Sequence, residues 1–128
     1  MQSKAIRDWH DFARSRDPAV LDGLIAEHAV FQSPAVHAPQ QGKELVIRYL
    51  TAAMEVLGNP AFQYVGEWAA ERSSVLEFET TIDGVYVNGV DIVEWDEDDR
   101  IVRFKVMVRP MKALNTVIGL MAERLSKG

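Results

Sequence analysis

Cysteine is absent from the 128-residue chain, which rules out disulfides, thiol catalysis and cysteine-bound metal. Equally missing is any run near the 18 or so apolar residues that a membrane span requires. The start, MQSKAIRDWHDF, lacks the uncharged apolar core of a signal peptide, so a cytoplasmic location with no membrane partner is expected. Positive charge is in short supply: 14 Lys and Arg face 19 Asp and Glu, for a formal net charge of −5. The basic residues form no stripe, and nucleic acid is not expected as a partner. No glycine-rich phosphate loop, dinucleotide fingerprint or Gly-x-Ser-x-Gly turn is present. That argues against nucleotide cofactors and covalent serine chemistry. The three histidines, His10, His28 and His37, have no metal-site spacing, so neither a metal nor another cofactor is expected.

What is present is enough for one domain over residues 1–128, large enough to bury a core without staples. Ser3 can cap a first helix carrying Ala5, Ile6, Trp9, Phe12 and Ala13 on one side. Asp17-Pro18 opens a second, with Val20, Leu21, Leu24 and Ile25 inward and His28 at its end. A short extended piece, Ala29 to Gln32, leads into a loop from Ser33 to Pro39 that its prolines keep from being helical. A third helix runs from about Gly42 to Leu57, where Val46, Tyr49, Leu50, Ala53, Met54 and Leu57 recur at helical spacing.

Thereafter the apolar period changes to two. Phe62, Tyr64 and Trp68 form one row; Leu76, Phe78, Thr80 and Ile82 a second; Val102, Phe104, Val106 and Val108 a last one. Asp83-Gly84 reads as a hairpin turn, and Asp96, Glu97, Asp98 and Asp99 as a solvated one. Asn88-Gly89 reads as a bulge. Pro110 opens a final helix with Met111, Leu114, Val117, Ile118, Met121 and Leu125 on one stripe. Segregated helices and a long meander predict an α+β fold. It is expected as a cone-shaped α+β barrel: a curved antiparallel sheet packed against three N-terminal helices, plus a C-terminal helix. The cone's concave apolar interior suits a small molecule.

From Val85 to Trp95 the odd positions are Val85, Val87, Gly89, Asp91, Val93 and Trp95. Side chains alternate across a sheet, so this row points inward and takes Asp91 with it. A carboxyl there must be protonated, paired or hydrogen-bonded. Two roles stay open: an acid with a chemical task, or a structural Asp held by backbone amides beside Asn88-Gly89.

The pattern resembles the nuclear transport factor 2-like superfamily, in its SnoaL-like and ketosteroid-isomerase-like branch, along essentially the whole chain. The resemblance rests on Asp17-Pro18, the segment Ala29 to Pro34, Gly42-Lys43-Glu44, and the strands Val90 to Trp95 and Arg100 to Phe104 about an acidic turn. It implies a cone-shaped pocket and a homodimer, without fixing one activity. Matched onto ketosteroid isomerase, whose base is an Asp and whose oxyanion donors are a Tyr and a protonated Asp, Asp91 takes the place of the protonated Asp. Ser33 falls where the base would be and Trp9 where the Tyr would be, so efficient ketosteroid isomerisation is not expected.

The candidate catalytic residues are Asp91 and His37, the latter either a proton-transfer partner or an exposed loop residue. The candidate ligand-binding residues are Trp9, Phe12, Ser33, Tyr49, Met54, Tyr64, Phe78, Trp95 and Phe104. Any of the aromatic ones could equally be plain core. The function expected is binding of a small apolar or aromatic molecule. It goes with a cofactor-free acid/base reaction (isomerisation, cyclisation, dehydration or hydrolysis), with plain ligand binding, or with a dimerising role. A homodimer is expected through the even face of the sheet, which carries Tyr86, Val90 and Ile92.

Overall fold

Capping residues set the first two helices. In a computed structural model, which describes residues 2–127, the Ser3 hydroxyl accepts the Ile6 amide at the head of α1 (Lys4–Ser15). The Asp17 carboxylate accepts the Ala19 amide at the head of α2 (Pro18–Leu24), with Pro18 in its first turn. Met1 and Gly128, the expected domain's bounds, lie outside the described residues. α1 buries Ala5, Ile6, Trp9 and Phe12 and ends on Arg16, whose guanidinium donates to the carbonyls of Ala13, Met54 and Gly58. A Cβ on Gly58 would run into that guanidinium and into the Met54 carbonyl, so a larger residue would displace Arg16.

α2 stops at Leu24, earlier than its apolar pattern suggests, and Ile25 starts β1 (Ile25–Gln32). Pairing decides this: Ile25 lies opposite Ile101 in a neighbouring strand, and ladder bonds outweigh local helix preference. His28 is therefore an exposed strand residue, where a helix end was expected. β2 (Gln40–Gln41) pairs with β1, and α3 (Lys43–Leu57) packs Val46, Leu50 and Met54 into the core.

β3 (Gln63–Ala69), β4 (Ser73–Ile82), β5 (Val85–Trp95) and β6 (Ile101–Arg109) form the expected meander, and α4 (Met111–Lys127) closes the chain. Asp83 and Gly84, with φ of 50° and 77°, make the tight turn between β4 and β5. The sheet order is β2-β1-β6-β5-β4-β3. It is mixed, which corrects the expectation of an antiparallel sheet. The meander starts at the far edge and walks back, so β6 arrives beside β1 in the same direction. The curved sheet stays open, and the helices cover its concave face.

Besides an irregularity in β1 between Ile25 and Val30, a bulge in β3 and another in β6 shift the side-chain alternation. Val65 is skipped between the Tyr64 and Gly66 pairings, and Val102 between those of Ile101 and Arg103. After Val65 the parity of β3 reverses, so Trp68 points outward and is 59% exposed, where an inward row was expected. After Val102 the inward set on β6 is Phe104 and Val106, with Ile101 before the bulge. Asn88-Gly89 is not a bulge: both residues pair one-to-one with β4 and β6. Gly89 is there for room, since a Cβ would meet the Phe78 ring and the Met107 carbonyl, each at 2.5 Å.

Candidate active site

The β5 register puts Asp91 on the inner face between Leu76 of β4 and Val106 of β6, where it is 5% exposed. Tyr64, last inward residue of β3 before its bulge, reaches across β4 and donates its hydroxyl to Asp91 Oδ2 at 2.6 Å. Trp9 of α1 donates its indole N–H to the Tyr64 oxygen at 2.8 Å. Three elements thus converge in one chain of donors, Trp9 to Tyr64 to Asp91. Among the described residues Asp91 has no cationic partner, and Oδ1 has no hydrogen bond.

Burial therefore dominates. It pushes the Asp91 carboxyl from an ordinary 3.8 up to about 7, with the Tyr64 hydroxyl pulling it partly back. Tyr64 is itself held well above the ordinary phenol value, first by burial and then by the neighbouring Asp91 charge. Near neutral pH this is a carboxyl divided between acid and base, beside a phenol that stays protonated. His10 meets the Tyr64 ring edge-on at 5.1 Å and lies 3.1 Å from Glu67 Oε1. The Val65 bulge turns Glu67 toward that side.

The space lies one strand away. An apolar cavity of about 170 Å³ opens between α3, α4, β6 and the loop after β1. Its walls include Phe31, Ser33, Tyr49, Ala53, Leu57, Val106, Val108, Val117, Ile118 and Met121. Val106 is both a cavity wall and the direct cross-strand neighbour of Asp91. Of the residues expected to bind a ligand, Ser33 and Tyr49 line this cavity. Trp9, Phe12, Phe78 and Phe104 are at most 1% exposed, and Met54 and Trp95 are also buried in the core. Trp9 and Phe104 pack with ring centres 4.6 Å apart, so the cone is filled where open space beside Asp91 was expected.

His37 is exposed on its loop, and no hydrogen bond or ion pair joins it to Asp91 among the described residues. Ser33 holds its own loop: its Oγ accepts the amides of Ala35 and Val36 at 3.2 and 3.1 Å. Among the described residues no three of His, Asp and Glu are grouped to hold a metal, and no helix is long and apolar enough to cross a membrane.

The SnoaL-like domain family matches residues 6–104. The chain belongs to that family. It carries the nuclear transport factor 2-like fold, with the cone whose interior has just been described. One similar structure is a steroid delta-isomerase from Pseudomonas aeruginosa, at 35% identity and a TM-score of 0.90, covering 96% of this chain and 90% of that one. Another is a protein with a cystatin-like fold from Silicibacter pomeroyi, at 23% identity and a TM-score of 0.88, covering 96% and 86%. A nuclear transport factor 2-like protein from Mesorhizobium loti is 23% identical at a TM-score of 0.71, covering 84% and 89%. Comparison with curated proteins gives no significant match.

Sequence reasoning singled out Asp91 and Tyr64 separately but did not join them. The signal was available in part, since Tyr64 stands on an apolar row facing the same interior. It also missed Val106 as a partition and α4 as a cavity wall.

Proposed function

We propose that this SnoaL-like protein binds a compact, neutral-bodied apolar or aromatic molecule in the cavity beneath α4, and that Asp91 serves as acid or base in a cofactor-free reaction there. The observation that carries the reading is the position of Val106, which separates the buried acid from the cavity by one side chain. On this reading the way from the cavity to Asp91 runs past Val106, by a rotamer change of that side chain or a shift of β6. The size fits a single ring, since engineered apolar cavities of about 150 Å³ take up benzene.

Steroid isomerisation is the rival suggested by the Pseudomonas aeruginosa neighbour. Three observations weigh against it. Ser33 stands at the base position and spends its oxygen on the loop. Trp9 gives its N–H to Tyr64. A four-ring steroid is far larger than the cavity.

Binding is tested by titrating toluene and indole into the protein by NMR. Resonances of Ile118 and Met121 should shift, and Ala122→Phe, at a position on the α4 wall of the cavity, should abolish the response. Catalysis is tested with a β,γ-unsaturated 3-ketosteroid and with any molecule found to copurify. The steroid should turn over at background rate, and any other turnover should vanish in Asp91→Asn. Fast steroid conversion dependent on Asp91 would overturn this reading.

Self-association is part of the proposal. The convex face exposes Trp68 and Tyr86 beside half-buried Val75, Val90 and Ile92. Sedimentation at micromolar concentration should give twice the chain mass, and Ile92→Asp should halve it.

A further inference from the structure

The β1–β6 ladder ends at Gln32 and Lys105, yet β6 runs on to Arg109. Beyond that last rung the chain swings away as the loop after β1, and the edge of β6 from Val106 to Val108 has no strand beside it among the described residues. Loop residues Ser33 to Val36, together with Val106 and Val108, line two hollows at once. One is the apolar cavity beneath α4. The other, outside it, is a hollow of about 390 Å³ that adds Gln32, His37, Lys105 and Met107. The shared residues set the two hollows side by side, one on each side of the same loop and β6 edge.

The outer hollow has a composition unlike the rest of the chain. The protein carries 19 acidic residues, but none lines this hollow. The Lys105 ammonium has neither an ion pair nor a hydrogen bond among the described residues, while the nearby Glu94 is already paired with Arg103. Ser33 Oγ accepts two backbone amides, which leaves its O–H to donate. One unpaired ammonium and one spare hydroxyl proton thus stand, among the described residues, beside the apolar stretch that the two hollows share.

We infer that the ligand is amphipathic: a ring-sized apolar body in the cavity and a carboxylate in the outer hollow, held by Lys105 and Ser33. This rests on the cavity reading above and adds the head group. Two oxygens can take the ammonium and the hydroxyl together, whereas a cationic head is repelled by Lys105. A neutral head leaves that charge unused. A short spacer between ring and carboxylate joins the two hollows.

The probes are 4-phenylbutyrate and 4-phenylbutanamide, which share the ring and spacer and differ in charge. Calorimetric titration at low salt should show the carboxylate binding about tenfold tighter than the amide, the worth of one charge-assisted contact. Lys105→Gln should erase that preference while leaving amide affinity unchanged, and Lys105→Arg should keep it. Ala122→Phe should block both probes, with thermal melting confirming that each variant is folded. Equal binding of the two probes, blocked by Ala122→Phe, overturns the head-group inference and leaves the cavity reading standing. A carboxylate preference that survives Lys105→Gln overturns it as well. Failure of both probes to bind the parent protein overturns the cavity reading, and the inference falls with it.

Discussion

Asp91 and the cavity beneath α4 are neighbours built on opposite terms. Around Asp91 the interior is closed: Trp9, Phe78 and Phe104 are fully buried, and the polar atoms are strung together by hydrogen bonds. Beneath α4 the walls are almost wholly apolar and a ring-sized space stays open. One region holds chemistry without room, the other room without chemistry. A carboxyl keeps a raised pKa only while water is kept away from it. A ligand enters only where packing is incomplete. Placing both behind a shared Val106 lets each requirement be met without spoiling the other.

The comparison is broken most forcefully by truncation in the closed region. Phe104→Ala removes the ring that packs on Trp9 and should cost about 3–5 kcal/mol in urea unfolding, since close-packed surroundings collapse only partly. A loss under about 1 kcal/mol would mean that space already exists beside Asp91.

Charge is the next lever. With its folded pKa raised to about 7, Asp91 binds a proton more tightly in the native state than in the unfolded one. Its favourable contribution is complete below the unfolded value and drains away as pH rises through the folded value, at about 1.4 kcal/mol per unit. Asp91→Asn mimics the neutral acid and can still accept from Tyr64. It should match the parent near pH 4 and exceed it by up to about 4 kcal/mol at pH 8. Parallel stability curves for the two proteins would show instead that Asp91 is ionised throughout.

Tyr64→Phe leaves the Trp9 N–H unpaired and should cost about 1–3 kcal/mol. Because the Tyr64 hydroxyl lowers the Asp91 value, its loss should move that carboxyl above 7, as read by carbon-13 NMR titration. A downward shift would contradict the assigned network. The smallest effect belongs to the open region: Ile118→Ala trims a wall that already faces empty space and should cost about 1 kcal/mol. A cost equal to that of Phe104→Ala would erase the distinction between the two regions.

Much of this was legible in the residues. Period-two alternation placed Asp91 inward, and it is buried. Asp83-Gly84 announced its turn, and Ser3 and Asp17 their helices. The misreadings share a cause. Ile25 follows a helical pattern locally yet lies on a strand, because its partner Ile101 is far away in the chain, in β6, and His28 follows it into β1. Trp68 reads as inward until the Val65 bulge is known, and a bulge is set by pairing across two strands. Tyr64 and Asp91 are 27 residues apart, and their meeting depends on the registers of β3 on β4 and of β4 on β5 together.

By itself, then, the sequence determined the elements, the inward row of β5 and the family pattern, because capping, turn chemistry and hydrophobic period act over a few neighbouring residues. Only the tertiary structure decided that Tyr64, rather than His37, is the partner of Asp91, and that the open space lies on the far side of Val106. Those outcomes depend on which atoms from α1, β3, β5, β6 and α4 arrive at the same place. Desolvation, the cause of the raised carboxyl, is a property of that gathering and of no single segment.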